Sequence, residues 1–155
     1  MAERQPRRKA EGVLLALLLL GSAALRAEGA SPPTFYVEDI KAATRAHIER
    51  RTDADGVFRI HDPVVERTLE LQFVRIHDPV RRIDGDTYFA CTDFQVAGDT
   101  EQLYDLDFWL EPSGERLDVV DEKIHKEPRH ALLYGWYKHP RYTFVDDEIV
   151  PLYQD

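Results

Sequence analysis

The sequence predicts an α+β domain: one N-terminal helix packed on a curved antiparallel sheet of four to five strands. Three observations lead there. Val37, Ile40, Thr44, His47 and Ile48 recur at helical spacing, with Lys41, Arg45 and Glu49 on other faces. Beyond residue 56 the apolar period drops to two, in short segments separated by proline, glycine and aspartate turns. Cys91 is the single cysteine of 155 residues, so no intramolecular disulfide is available and the fold rests on its hydrophobic core. Burying each large side chain contributes ~1.5–3 kcal/mol, enough for one domain of this size.

Along the chain, residues 1–27 read as an export signal. A basic start (Arg4, Arg7, Arg8, Lys9) leads into Val13-Leu14-Leu15-Ala16-Leu17-Leu18-Leu19-Leu20 and then into small residues, with Ser22-Ala23-Ala24 as a cleavage tripeptide. The apolar run is shorter than the ~20 residues a spanning helix needs. The expected location is therefore periplasmic or secreted, with no membrane span after signal removal. Residues 28–155 form the single expected domain. Ser31-Pro32-Pro33-Thr34 is a stiff lead-in, Thr34 is the expected N-cap, and the helix is expected over 35–50. Asp53-Ala54-Asp55-Gly56 stops it; an EF-hand loop shares some of these residues, but a strand follows where a helix should.

Strands are expected over 57–60, 68–76, 87–96, 102–110 and 117–124, and again near 142–145 within a loosely held, aromatic-rich tail. The first two end in the same turn: Arg59-Ile60-His61-Asp62-Pro63-Val64 recurs as Arg75-Ile76-His77-Asp78-Pro79-Val80. Two copies do not make a solenoid, and proline stops both strands. Within the best hairpin, pairing residues whose numbers sum to 198 sets Phe94 opposite Tyr104, Thr92 opposite Leu106, Ala90 opposite Phe108 and Tyr88 opposite Leu110. That register gathers an apolar face to lie against the helix; a one-residue slip would expose half of it.

The other face then carries Asp93 opposite Asp105, Cys91 opposite Asp107 and Phe89 opposite Trp109. Facing carboxylates repel unless cations or protons resolve them. Lys123, His125 and Arg141 are the expected neutralising partners, with a divalent metal as the other solution. Cys91, inside an apolar strand, reads as an inert packed thiol. The expected binding residues are Phe89, Asp93, Asp105, Asp107, Trp109, Lys123, His125, Trp136 and Tyr137. No catalytic residue and no cofactor is expected, because the sequence carries no HExxH, phosphate loop, nucleophile elbow or Cys-His heme motif.

Charge narrows the partners. Residues 1–27 hold five of the 20 Lys and Arg and two of the 29 Asp and Glu, so the remainder has 15 against 27, a formal charge of −12. That field repels phosphate backbones and anionic lipid, which disfavours nucleic acid and leaves an unidentified protein or small molecule as partner.

Gln95-Val96-Ala97-Gly98 at the hairpin tip resembles the Q-x-V-x-G wedge of cystatins, one residue shorter, and helix followed by antiparallel sheet is the cystatin order of elements. The resemblance implies a cystatin-like fold and, secondarily, inhibition of cysteine proteases. More widely, Tyr88-Phe89-Ala90-Cys91-Thr92-Asp93-Phe94, Tyr104-Asp105-Leu106-Asp107-Phe108-Trp109, Ile124-His125-Lys126 and Pro140-Arg141-Tyr142 resemble small exported bacterial proteins of unknown function. That implies an envelope location and a helix-on-sheet fold, with no activity attached. The expectation is thus an exported, non-enzymatic binding module of the bacterial envelope. The alternatives are a small enzyme using Asp93, Asp105 or Asp107 as general base, or a cystatin-like inhibitor.

Overall fold

The structure is a computed structural model that describes residues 33–152; the export signal read over 1–27 lies outside the described residues. Helix α1 spans Val37–Arg51 and buries Ile40, Thr44 and Ile48 of the expected stripe against the sheet, while His47 is half-buried and Val37, at the first position, is exposed. Its start lies two residues later than expected. Tyr36, not Thr34, is the N-cap, because the Asp39 carboxylate accepts the Tyr36 backbone N–H at 2.8 Å. At the far end Asp53 Oδ1 accepts the N–H groups of Asp55 and Val57, which makes 53–56 a helix-stopping turn rather than a cation loop.

Nine strands follow: β1 (Phe58–Asp62), β2 (Arg67–Ile76), β3 (Arg81–Arg82), β4 (Tyr88–Val96), β5 (Asp99–Ser113), β6 (Arg116–Ala131), β7 (Gly135–Pro140), β8 (Tyr142–Val145) and β9 (Glu148–Pro151). The first seven make one antiparallel sheet in the order β1-β2-β4-β5-β6-β7, with β3 continuing the edge of β4 that β2 occupies farther along. β8 and β9 form a separate two-stranded hairpin. The fold class is α+β as expected, but the sheet has seven strands rather than four or five. The extra strands are a two-residue rung and an edge strand over 135–140, where alternation is hidden by aromatics exposed on both faces.

The β4–β5 pairing follows the 198 register from Tyr88↔Leu110 to Phe94↔Tyr104. The inner face carries Phe58, Leu71, Phe94, Leu106, Phe108 and Leu110, all fully buried beneath α1 and the sheet's own curvature. Phe94 packs against Phe58, Phe73 and Phe108 with ring centroids 5.0, 5.7 and 6.5 Å away. The β4–β5 turn is only Ala97-Gly98, shorter than the expected 97–101 loop, and Gly98 takes φ +82°. An L side chain pays about 1–2 kcal/mol in that region. Gly98→Ala is therefore expected to lower unfolding free energy by about 1 kcal/mol in urea titration, although a Cβ there would touch nothing within 4 Å.

Register shifts shape the sheet at four places, one of them beside the β4–β5 turn between Gln95 and Val96. In β2 the register shifts between Phe73 and Arg75, so Phe73 stays on the inner face and Arg75 is turned outward opposite Asp93. In β6 shifts fall opposite Asp105/Leu106 and Trp109/Leu110, leaving His125 and Val120 as the extra residues. Bulges re-aim side chains and increase local twist. Among the described residues no helix is long and apolar enough to cross a membrane.

Candidate functional site

Two surfaces account for the candidate residues: the outer face of the sheet and the arm formed by β6 and β7.

On the outer face, Asp93, Asp105 and Asp107 are buried side by side. Lys138, from β7, bridges the first two: its Nζ is 2.6 Å from Asp93 Oδ1 and 2.6 Å from Asp105 Oδ1. Arg75 Nε donates to Asp93 Oδ2 at 2.7 Å, and His77 Nε2 lies 2.8 Å from Asp93 Oδ1. Lys126 Nζ donates to Asp105 Oδ2 at 2.7 Å. Burial alone would raise the Asp93 carboxyl, but hydrogen bonds from Lys138, Arg75 and His77 outweigh it and hold the group far below the usual carboxylate range. Burial pulls Lys138 down, while Asp105 and Asp93 lift it above its ordinary value. The repulsion implied by facing carboxylates is thus resolved inside the domain by lysine and arginine.

The partners differ from those expected. His125 does meet a carboxylate, with Nδ1 3.2 Å from Asp107 Oδ2. Lys123 instead pairs with Asp121 and lies over the Trp109 ring at 5.5 Å. Arg141 turns away to the end of β1, where its two terminal nitrogens donate to both oxygens of the fully buried Asp62 at 2.8 and 2.7 Å. It also donates to Glu127 Oε2 from Nε at 2.8 Å and from an Nη at 2.6 Å. Sequence reasoning missed Arg75, His77, Lys126 and Lys138 as neutralising groups. Only the repeat hinted at the first two, and its copies do different work: Asp62 anchors Arg141, whereas Asp78 pairs with Lys41 at the surface.

The C-terminal segment is not a loose tail. The β8–β9 hairpin lays Tyr142 and Phe144 over the outer face. Phe144 sits 5.3 Å from Phe89 and 6.3 Å from Trp109, and Tyr142 stacks on His125 at 4.6 Å. Arg81 covers the Phe89 and Phe144 rings and pairs with Asp147 at 3.0 Å. Phe89, an expected binding residue that a bare sheet would leave exposed, is therefore only 7% exposed, and Trp109 is half-buried. Their exposed position on a bare sheet was overturned because a later hairpin closes over them. Burial, then the charges and hydrogen bonding of Asp107, push the Cys91 thiol well above its ordinary range, which keeps it protonated.

The arm is the opposite case. β5 leaves β6 after the Asp105↔Lys126 pair, and from residue 127 onward β6 pairs with β7 alone. Pro128 lacks an N–H, which suits a stretch with one partner strand. At the apex Tyr134 N–H donates to the Ala131 carbonyl and Gly135 takes φ +71°, closing the turn. Leu132, Leu133 and Tyr134 are 94, 84 and 85% exposed, and Trp136 and Tyr137 are exposed beside them. Trp136 faces His130 across the arm and Tyr137 faces Arg129. Trp136 and Tyr137 were expected binding residues; Leu132, Leu133 and Tyr134 were not, though the run Leu132-Leu133-Tyr134-Gly135-Trp136-Tyr137 was visible as an apolar stretch around a turn glycine.

An open cleft of about 670 Å³ lies beside Arg51, Ile60, His61, Glu122 and Tyr142. Its carboxylate is Glu122. Burial raises that group, but His47 at 3.1 Å and Arg51 hold it below the ordinary value.

No protein family, characterised protein or solved structure matches this chain.

Proposed function

We propose that the protein is an exported, non-enzymatic binding module of the bacterial envelope that docks by the tip of its β6–β7 arm onto the lipid–water boundary of a bilayer. The observation that carries this reading is the exposure of Leu132, Leu133 and Tyr134 at the apex of an arm with one partner strand. Large contiguous apolar groups left in water mark an interaction site. The order of residues down the arm favours a bilayer over a protein groove. Leu132, Leu133 and Tyr134 stand at the apex, and on the rungs behind it the aromatics Trp136 and Tyr137 are paired with the polar His130 and Arg129. A bilayer offers the matching environments, hydrocarbon for the apex and a boundary at head-group level where Trp and Tyr sit among polar groups.

Two further points support a binding role. The outer-face carboxylates Asp93 and Asp105 are saturated by lysines and arginine, and Glu122 in the cleft is tied to His47 and Arg51. A carboxylate held ionised in such pairs is a weak general base at neutral pH. Burying two leucines supplies ~3–6 kcal/mol at most, which suits reversible attachment rather than anchoring.

Flotation of the chain lacking residues 1–27 with lipid vesicles tests the reading. The chain is expected to float with zwitterionic vesicles, and Leu132→Asp combined with Leu133→Asp is expected to cut binding at least tenfold while leaving the thermal midpoint unchanged. Because the domain carries a formal charge of −12, binding to anionic vesicles should be weaker and should rise with salt as repulsion is screened. Failure of the unaltered chain to float, or equal flotation of the double variant, overturns bilayer docking.

A further inference from the structure

Beside the Lys138 network the outer face holds a second cluster that arm docking does not use. Cys91 on β4 stands opposite Asp107 on β5, and the β6 bulge brings His125 to the same place. One donor atom from each of Cys91, Asp107 and His125 lies within 4.8 Å of the others. Asp107 is completely buried. Tyr142 Oη donates to its Oδ2 at 2.7 Å, and its Oδ1 is buried with no hydrogen-bond partner.

That arrangement is unlike its neighbours. Asp93 and Asp105 each have a lysine within 2.7 Å. Among the described residues no lysine or arginine forms an ion pair with Asp107: Lys123, directly opposite on β6, pairs with Asp121 instead, and the basic group in contact is His125. A carboxylate fully removed from water requires a counter-charge and partners for both oxygens, or it costs several kcal/mol. A thiol, an imidazole and a carboxylate converge where Asp107 Oδ1 and His125 Nδ1 are buried without a hydrogen-bond partner.

We infer that Cys91, Asp107 and His125 form a binding site for a divalent transition metal of the zinc class. Sulfur among the donors excludes hard cations such as Ca²⁺ and Mg²⁺, whereas Zn²⁺ accepts thiolate, imidazole and carboxylate together. Three protein ligands leave a further coordination position, as in zinc sites that bind an exogenous group. Binding replaces the Cys91 S–H bond by a sulfur–metal bond and releases the proton to solvent, so uptake is stronger at higher pH. Tyr142 is the supporting residue: it fixes the orientation of Asp107 by hydrogen bond and stacks on the His125 ring. His77, Cys91 and Asp105 also come within 4.8 Å of one another. In that set Asp105 is held by Lys126 and Lys138 and His77 lies against Asp93, so the Asp107 side carries the assignment.

The test uses the full chain, stripped with chelator and titrated with Co²⁺. Cys91 is the sole cysteine, so a near-ultraviolet thiolate-to-cobalt band reports this residue directly and needs no variant. One equivalent of Co²⁺ is expected to saturate the band, and Zn²⁺ to bleach it by displacement. His125→Gln, which keeps the thiol, is expected to weaken binding at least tenfold, and Asp107→Asn to do the same. Absence of the band with one equivalent of Co²⁺ overturns the site. So does a band whose affinity is unmoved in both variants, which would make Cys91 a simple thiol trap.

Discussion

Arg141→Met is expected to destabilise the domain by about 3–5 kcal/mol in urea or thermal unfolding, the usual cost of stripping one partner from a buried ion pair. Arg141 donates two parallel hydrogen bonds to a fully buried Asp62 and reaches Glu127 besides, tying β8 and the end of β6 to the end of β1. The loss comes less from the bonds than from the Asp62 carboxylate left behind without a cation. Two further results separate that cause from lost packing. Asp62→Asn in the Arg141→Met background is expected to recover a large part of the loss, since it removes the stranded charge.

The pH dependence of the same variant has a definite sign. Burial raises the Asp62 carboxyl, but Arg141 and the Val64 N–H more than offset it and hold the group below its ordinary value. A depressed carboxyl contributes stability above its unfolded pKa of about 4, and the contribution is lost as pH falls through the folded value. Without Arg141, burial dominates and protonation becomes favourable. The gap between parent and variant is therefore expected to be widest near neutral pH and to narrow as pH falls, first through the variant's raised Asp62 value and then, below about pH 4, toward the parent's depressed one. A gap that is constant with pH would mean that packing, not charge, accounts for the loss.

Lys138→Met is the second large effect, about 2–3 kcal/mol. Lys138 is the cation that keeps Asp93 and Asp105 compatible across the β4–β5 ladder. Its removal leaves two carboxylates directly opposite each other, although Arg75 stays with Asp93 and Lys126 with Asp105. Those remaining cations place the loss at or below the 3 kcal/mol lower bound for a broken buried pair. Asp105→Asn in that background is expected to restore stability, whereas Lys123→Met, which removes only a surface pair with Asp121, should stay within about 0.5 kcal/mol. Because Lys138 sits near the base of the arm, hydrogen exchange in β7 should also accelerate in the variant.

Much of the scaffold was legible along the chain. The helix follows from the spacing of Ile40, Thr44 and Ile48, and the β4–β5 register from the demand that Phe94, Tyr104, Ala90 and Phe108 share one buried face. The facing of Asp93 with Asp105, and of Cys91 with Asp107, came with that register. Illegible were features that break the period. An extra residue in β2 or β6 leaves the same residue types in the same order, yet it decides that Arg75 and Lys126, rather than Lys123, meet the carboxylates. Strand β7 was hidden because its neighbouring aromatics Trp136 and Tyr137 are both exposed, while the next residue, Lys138, turns back onto Asp93 and Asp105.

The sequence by itself determined which residues share a face wherever burial enforces period two or 3.6, because hydrophobic burial is local to each element and readable from spacing. Only the tertiary structure decided which charges neutralise which, and what remains in water. Lys138 reaches Asp93 across 45 positions, Arg141 reaches Asp62 across 79, and the β8–β9 hairpin closes over Phe89 and Trp109. Electrostatic pairing depends on distance in space, and no pattern of neighbours along a chain encodes that distance.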